Sequence, residues 1–583
     1  MSELRVLLGH MGPYRRECAL AAICVFCETS LELFIPVLTA GLIDRGAMAG
    51  DMGVVVANGL GMLACGLLSL AFGLGYARMS ARAAMGLGAS LRDDEYAAIQ
   101  RYSFADLDRN DTSSLVTRLT TDVTVIQNAL TSGFRPMLRG PVALVMGLAF
   151  ACIMSPDLAL VFFVMLPALA ACLTWVVRHT APLYGLLQSS TDRLNGVVQE
   201  CLTAVRAIKA FVRGEWSEER FGHVNDELAS TATLTFRTAV LNTPLFQAAM
   251  YATGVAVLWL GGRMVLAGTL GVGELTGFMS YVLQITNSLM MISNVFLLMT
   301  RALTSVHRVT QVLDLEPSVS SPATGATRVA DGSVEWRGAS MRHGTDSRAD
   351  VLHHVSLRID TGETLGVLGA TGSGKTTLAQ LVPRLYDVSA GSVLVGGRDV
   401  RDYDLAALRR SVGFVPQTCT LFSGTIRDNL LWGNAAATDE ELLEACRLAA
   451  ADEFLDRIGG LDARLGQGGS GVSGGQRQRL CIARALVARP KILVLDDSTS
   501  ACDMATDARI RSALASLRGV TKIVIAQRVA SVVGADRIAV LDDGRVHAVG
   551  THGELLASDP IYQEMYRTQA SGAEKGGGVD GRE

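Results

Sequence analysis

Residues Gly369 to Thr377 read GATGSGKTT and fit the spacing G-x-x-x-x-G-K-[ST], with Gly369, Gly374, Lys375 and Thr376 at the defining positions. A turn built from Thr371, Gly372 and Ser373 between those glycines lets successive backbone N–H groups face one anion. A helix opening at Thr377 adds its positive N-terminal end. Lys375 is long enough to reach two linked phosphates, and the Thr376 hydroxyl is a ligand for Mg²⁺. In a chain with 60 glycines such a pattern can arise by chance. Here LGVLG (365–369) reads as a short buried strand before the loop and 377–386 as a helix after it, the order the chemistry requires. The stretch predicts a site for a nucleoside triphosphate.

A second group belongs with the first. KILVLDD (491–497) is a hydrophobic strand ending in two acids, about 120 residues after the loop. Asp496, at the strand end, is positioned to hold Mg²⁺ beside Thr376. From Ser333 onward short β runs alternate with helices, the pattern of an α/β nucleotide-binding domain.

The first half of the chain has a different composition. Of 583 residues, 49% are apolar and only 19% charged, and the apolar ones concentrate in residues 17–300. Six candidate spans fall at 17–43, 54–77, 137–154, 158–178, 240–260 and 274–299, each near or above the ~20 residues a helix needs to cross a bilayer. The connections 44–53, 155–157 and 261–273 are short and hold Arg45 and Arg263 as their basic residues, whereas 78–136 and 179–239 are long, polar and Arg-rich. The positive-inside rule therefore places the long connections and both termini in the cytoplasm. Helices running past the membrane would account for their length. Residues 2–16 suit a short helix lying on the cytoplasmic membrane face. The first apolar run is too long for a signal peptide.

Charges inside the spans are few. Glu28 and Glu32 lie at i, i+4 and share one face of the first span. Two readings stay open: acids lining a substrate path, which would give a cationic or amphipathic substrate some weight, or an interhelical pair. Gln284, Asn287 and Asn294 in the last span could likewise line a path or bond between helices. Cys24 and Cys27 form a C-x-x-C within an apolar helical run, where buried small hydrophobes fit better than a redox pair. A net charge of −4 gives no reason to expect a nucleic-acid partner.

Between the loop and the strand acids lies VSGGQRQR (472–479), and with it the chain resembles an ATP-binding cassette exporter half-transporter over nearly its whole length. Gln417 in GFVPQ resembles the family's Q-loop, Ser473, Gly474, Gly475 and Gln476 its signature motif, and SACD (500–503) its D-loop. TSSLVTRLTTDV (112–123) and QECLTAVRAIKAF (199–211) resemble its cytoplasmic helical extensions. The resemblance implies a head-to-tail dimer of nucleotide domains, each ATP held between one chain's phosphate loop and the other chain's signature. Gln417 would then join Thr376 and Asp496 around Mg²⁺, and ATP binding and hydrolysis would swing the membrane helices between inward- and outward-open states.

Four positions depart from the family pattern. Asp497 stands where the family usually places the Glu that polarises the attacking water, and Gln527 where the switch segment usually has His. His343 occupies the place of the Tyr that stacks on adenine, and Gln467 that of a Glu before the signature. Asp is one methylene shorter than Glu, and general-base assistance is typically worth ~10²–10⁴-fold. An intact SGGQ beside a damaged base-and-switch pair resembles heterodimeric bacterial exporters. The expectation is a subunit whose own ATP site turns over slowly and whose signature completes a competent site on a different half-transporter. The alternatives are an ATP-gated regulatory or channel module, or a slow homodimeric exporter. The expected layout is a helical membrane domain (1–315), a Pro/Ser/Thr/Gly-rich linker (316–332), an α/β cassette domain (333–569) and a disordered tail (570–583), in a multi-pass protein of the plasma membrane.

Overall fold

The computed structural model describes residues 9–344 and 350–576; a few side chains, that of Asn294 among them, fall outside the described set. The chain divides into two units, Met1–Ala98 with Leu115–Asp314, and Ile99–Ser114 with Leu315–Glu583.

The first unit is helical. Its main elements are α1 (Arg15–Gly41), α2 (Met52–Arg101), then, after the excursion into the second unit, α4 (Phe134–Met154), α5 (Pro156–Thr203), α6 (Gly214–Ala239), α7 (Asn242–Leu266) and α8 (Val272–Leu313). Among the described residues, five helices are long and apolar enough to cross a membrane. The sixth expected span, 274–299, lies in α8, which is continuous over 42 residues. At 50 residues α2 is about 75 Å long, against a hydrocarbon core of about 30 Å, so more than half of its length exceeds what a crossing needs. The core joins α1, α4, α5, α7 and α8: Phe162 of α5 stacks on Phe278 of α8 at 5.4 Å, and the Tyr281 hydroxyl donates to the Leu33 carbonyl at 2.7 Å. In the part of the unit remote from the spans, Asp122 is fully buried and accepts from Arg308 Nε (2.8 Å) and the Ser305 hydroxyl (2.9 Å), tying that segment to α8.

The second unit is built on sheets. β1 (Val334–Met341), β2 (Leu352–Ile359), β4 (Ala390–Val395) and β5 (Arg398–Asp399) form an antiparallel layer in the order β2-β1-β4-β5. A second sheet runs in the order β12-β11-β3-β10-β9-β6, with β3 (Thr364–Gly369), β6 (Val412–Val415), β9 (Ile492–Asp496), β10 (Thr521–Ile525), β11 (Arg537–Asp542) and β12 (Arg545–Gly550). Its pairs are parallel except β11 with β12. β7 (Gly424–Thr425) pairs with β8 (Arg464–Leu465). β9 is buried at every position, as a central parallel strand covered on both faces must be.

Two details differ from the sequence expectation. Residues 316–332 do not hang free: Val319 and Val329 are buried, the Ser320 carbonyl accepts from Arg384, and Ala326 exchanges backbone hydrogen bonds with Asp402 and Asp404. Two valines in a polar stretch are enough to seat it on the domain. The closing helix α12 (Pro560–Gly576) runs into the stretch expected to be a disordered tail, and 577–583 lie outside the described residues.

Candidate functional site

β3, β10, β9 and β6 are consecutive neighbours in the sheet, and each delivers a functional residue at or just beyond its C-terminal end. Such a row of parallel strand ends is where open α/β sheets bind ligands. Thr371, Gly372, Gly374, Lys375, Thr376, Thr377, Gln417, Asp496, Asp497 and Gln527 all line one cavity of about 210 Å³ there. Ten residues drawn from four separate stretches of sequence thus meet at one place.

The loop geometry explains its glycines. Gly374 has φ +90°, and a Cβ there would lie 2.9 Å from the Val351 carbonyl. A Cβ on Gly369 would lie 2.3 Å from the Leu541 carbonyl, so the chain passes β11 too closely for any side chain. Ser373 is buried, and the Lys375 ammonium donates to the carbonyls of Gly369 (2.9 Å) and Ala370 (2.7 Å). Burial holds the Lys375 ammonium below the usual lysine range, with Asp496 and Asp497 pulling it back up. The Thr376 hydroxyl donates to Asp496 Oδ1 at 3.0 Å. Asp496 is almost fully buried, and burial raises it above the ordinary carboxylate range. Among the described residues no trio of His, Cys, Asp or Glu is placed to hold a metal. The hydroxyl–carboxylate pair is the hard-oxygen donor set that Mg²⁺ takes when most of its shell is water and phosphate.

Two of the four departures, Asp497 and Gln527, touch each other. Asp497 sits at φ +47°, a strained position for a residue with a side chain, and its Oδ2 accepts from Gln527 Nε2 (3.2 Å) and Gln417 Nε2 (3.4 Å). A carboxamide from the switch segment and one from the Q-loop segment therefore clamp a single oxygen. Burial raises the Asp497 carboxyl, opposed first by the Gln417 hydrogen bond. Gln569, which lies in no motif, fixes the switch segment from α12. Its carboxamide accepts from Val529 N (2.8 Å) and donates to the Gln527 carbonyl (2.9 Å).

Ser473, Gly474, Gly475 and Gln476 are not in that cavity. They open α10 (Gly474–Val487) with a capping box, in which Ser473 Oγ accepts from Gln476 N (3.3 Å) and Gln476 Oε1 from Ser473 N (2.9 Å). Ser473 and Gly474 are exposed. A Cβ on Gly475 would lie 2.8 Å from the Ala501 carbonyl, and Gln478 bonds Ala501 N (2.9 Å) and the Ser500 hydroxyl (3.2 Å), fastening the signature helix to the 500–503 loop.

His343 packs edge-on against Tyr386, ring centroids 5.0 Å apart, with Nε2 3.2 Å from the Thr377 hydroxyl. The Tyr386 hydroxyl donates to Asp108 Oδ2 at 2.7 Å. Asp108 lies on α3 (Phe104–Arg109), the short helix that leaves the helical half of the sequence to join the second unit. Ser103 caps α3, Asp106 accepts from Ser318 N (3.1 Å), and Phe104 meets the Tyr386 ring at 6.1 Å. No motif in the sequence marked this contact. A hydrophobic–acidic helix between two long helices was its only signal.

In the helical unit, Glu28 and Glu32 do not stand as free acids along a path. Glu28 pairs with Arg135 and Glu32 with Arg139, and Arg139 also comes within 4.0 Å of Glu28. Both pairs share an i, i+4 spacing, so two turns of α1 face two turns at the start of α4. Opposite charges at matching spacing neutralise one another, and this removes the ground for favouring a cationic substrate.

Comparison with known proteins agrees with this geometry. Residues 18–289 match the family model described as ABC transporter transmembrane region, and residues 352–500 the one described as ABC transporter. An uncharacterized ABC transporter ATP-binding protein of Mycobacterium tuberculosis is 35% identical over 98% of this chain and 99% of its own. Bacillus subtilis YfiB, also uncharacterized, is 34% identical over 96% and 98%. The ATP-dependent lipid A-core flippase of Desulfotalea psychrophila is 31% identical over 81% and 83%. The chain belongs to the ABC transporter family: it is a half-transporter in which a multi-pass membrane region is fused to an ATP-binding domain, an ATPase coupled to transmembrane transport.

Proposed function

We propose that this chain is one half of a heterodimeric exporter, and that its own phosphate loop forms the slow ATP site of the pair. The observation that carries the reading is the Asp497–Gln527 contact at 3.2 Å, with Gln417 on the same oxygen. A base that activates water needs a carboxylate oxygen free to accept its proton, within hydrogen-bond reach of that water. Here the carboxylate is one methylene short of Glu, and one oxygen already accepts from two carboxamides. Gln527 donates a hydrogen bond but cannot carry the positive charge of a protonated His. Binding is a separate matter: Gly369 to Thr377, with Asp496, keep the groups that phosphates and Mg²⁺ call for.

Mg²⁺ fits Thr376 and Asp496, with Gln417 at the cavity wall; when bound it supplies charge neutralisation at the phosphates. The exposed Ser473 and Gly474, at a helix N-terminus, suit the γ-phosphate of a nucleotide held by another chain. On this reading the partner carries the Glu and the His that this chain lacks. The same reading has the nucleotide domain and both termini facing the cytoplasm and the spans crossing the plasma membrane, an orientation that the Arg-rich long connections support. His343, Tyr386 and Asp108 then join the nucleotide pocket to α3 within the second unit.

The test is co-purification of the tagged chain from its native membrane, followed by turnover of the isolated complex. A different half-transporter at one-to-one stoichiometry supports the proposal. A dimer of this chain alone overturns it and leaves the slow homodimer, while a complex that binds ATP without measurable hydrolysis leaves the gated module.

A further inference from the structure

A cavity of about 330 Å³ opens within the helical unit, walled by α1, α4 and α8. That volume lies inside the range of small-molecule pockets, about 300–1,000 Å³. Its polar lining comes from Glu32, Arg139, Gln284 and Asn287, and its apolar lining includes Met290 and Met291. We propose that this cavity takes the head of an uncharged amphiphile rich in hydroxyl or amide groups, such as a neutral glycolipid, and disfavours both cationic and anionic heads. The inference rests on the reading of the chain as an export subunit and adds a substrate class to it.

The charges come first. Glu32 is already paired with Arg139, and Glu28 with Arg135 and, at 4.0 Å, with Arg139. Two acids and two guanidiniums sum to zero. A cationic head would have to take Glu32 from Arg139, and an anionic head Arg139 from Glu32. Either exchange leaves one charge of a partly buried pair uncompensated, in surroundings where that is costly. A zwitterion has to break the pair from both sides. A neutral head leaves it whole and can still bond to its remaining lone pairs and N–H groups.

The free hydrogen-bonding capacity is in the carboxamides. Gln284 and Asn287 lie three apart on one face of α8, and neither side chain bonds another described residue. Each offers a carbonyl acceptor and two N–H donors, the mixture that hydroxyls and amides match from either side. The cavity's two described hydroxyls are less available as donors, because Thr29 donates to the Val25 carbonyl and Ser288 to that of Ile285, both at 2.7 Å. Leu33 and the flexible thioethers of Met290 and Met291 provide an adaptable apolar wall for the chain end of such a molecule.

The test is photo-crosslinking to the full-length chain, with whatever partner co-purifies, in phosphatidylcholine nanodiscs without ATP. The probe is a diglucosyl diacylglycerol bearing a diazirine near the sugar. Competitors are the same lipid unlabelled, phosphatidylglycerol and a dialkyl-dimethylammonium amphiphile. The expected result is labelling of the peptide holding 284–287, displaced by the neutral glycolipid at tenfold lower concentration than by either charged competitor. Gln284→Leu with Asn287→Leu should reduce labelling about tenfold, and the ranking on the unmodified chain stands even if that variant does not fold. A charged amphiphile that competes better than the glycolipid overturns the proposal, as does a folded double variant that labels normally. Because ATP is omitted, failure here is distinguishable from failure of the heterodimer, which co-purification and turnover decide.

Discussion

Replacing Asp497 by Glu and Gln527 by His restores a longer carboxylate and a switch side chain that can be positively charged. The clamp geometry determines how the single changes should behave. With Gln527 Nε2 at 3.2 Å and Gln417 Nε2 at 3.4 Å from one oxygen, Asp497→Glu alone gains reach but keeps both carboxamide donors near its carboxylate. Its gain should stay within about tenfold, or ~1.4 kcal/mol of barrier. Gln527→His alone leaves the short base and should give less. Together they should approach the ~10²–10⁴-fold that a positioned general base contributes, ~3–5 kcal/mol. The assay must isolate this site, since a working partner site would mask it and let total turnover rise by no more than about the site's own share. Phosphate release is therefore measured in a complex whose partner carries Ala at its phosphate-loop lysine. Turnover within twofold of the parent, with ATP binding intact, would refute the argument that this pair limits hydrolysis.

Three further outcomes are expected. Tyr386→Phe and Asp108→Asn each weaken the 2.7 Å bond to α3; hydrogen bonds to charged groups contribute about 1.5–3 kcal/mol, so either change should uncouple membrane helices from ATP, seen as loss of substrate-stimulated turnover with ATP affinity within twofold. Gln569→Ala removes the two bonds from α12 to the switch segment, about 0.5–1.5 kcal/mol each, and hydrogen exchange of residues 525–531 should accelerate about tenfold or more while β9 stays protected. The Arg537 hydrogen bond holds Glu363 below the usual carboxylate range, so its contribution to stability is complete above the ordinary value of 4.5 and is lost as pH falls through the lower folded value. In Glu363→Gln, the melting temperature should be lower near neutrality and should fall less steeply below that pH.

The nucleotide site was legible in the sequence because phosphate chemistry constrains backbone and side chain together. Gly369, Gly374, Lys375 and Thr376 have spacing that few other uses would require, and Asp496 ends a strand whose apolar run is visible by itself. The pairing of Asp497 with Gln527 was not legible, because 30 residues separate them and only the adjacency of β9 and β10 brings them together. Gln569 and Asp108 carry no sequence signal, because each acts through one side chain on a helix whose sequence reads as an ordinary surface. Glu28 and Glu32 are visible as a pair, but their arginine partners lie 107 positions on, at the edge of the third expected span. Periodicity shows that two acids share a face and cannot show what faces them. Likewise, α3 reads as part of a long cytoplasmic connection, and only its contacts with Ser318 and Tyr386 assign it to the second unit.

The deciding experiment is mass spectrometry of the tagged chain pulled from its native membrane in mild detergent. A heterodimer yields a second, different half-transporter in equal amount, whose sequence holds a Glu after its strand acid and a His in its switch segment. Recovery of this chain only, as a dimer of itself, would overturn the heterodimer, because Asp497 and Gln527 would then have to serve at both sites.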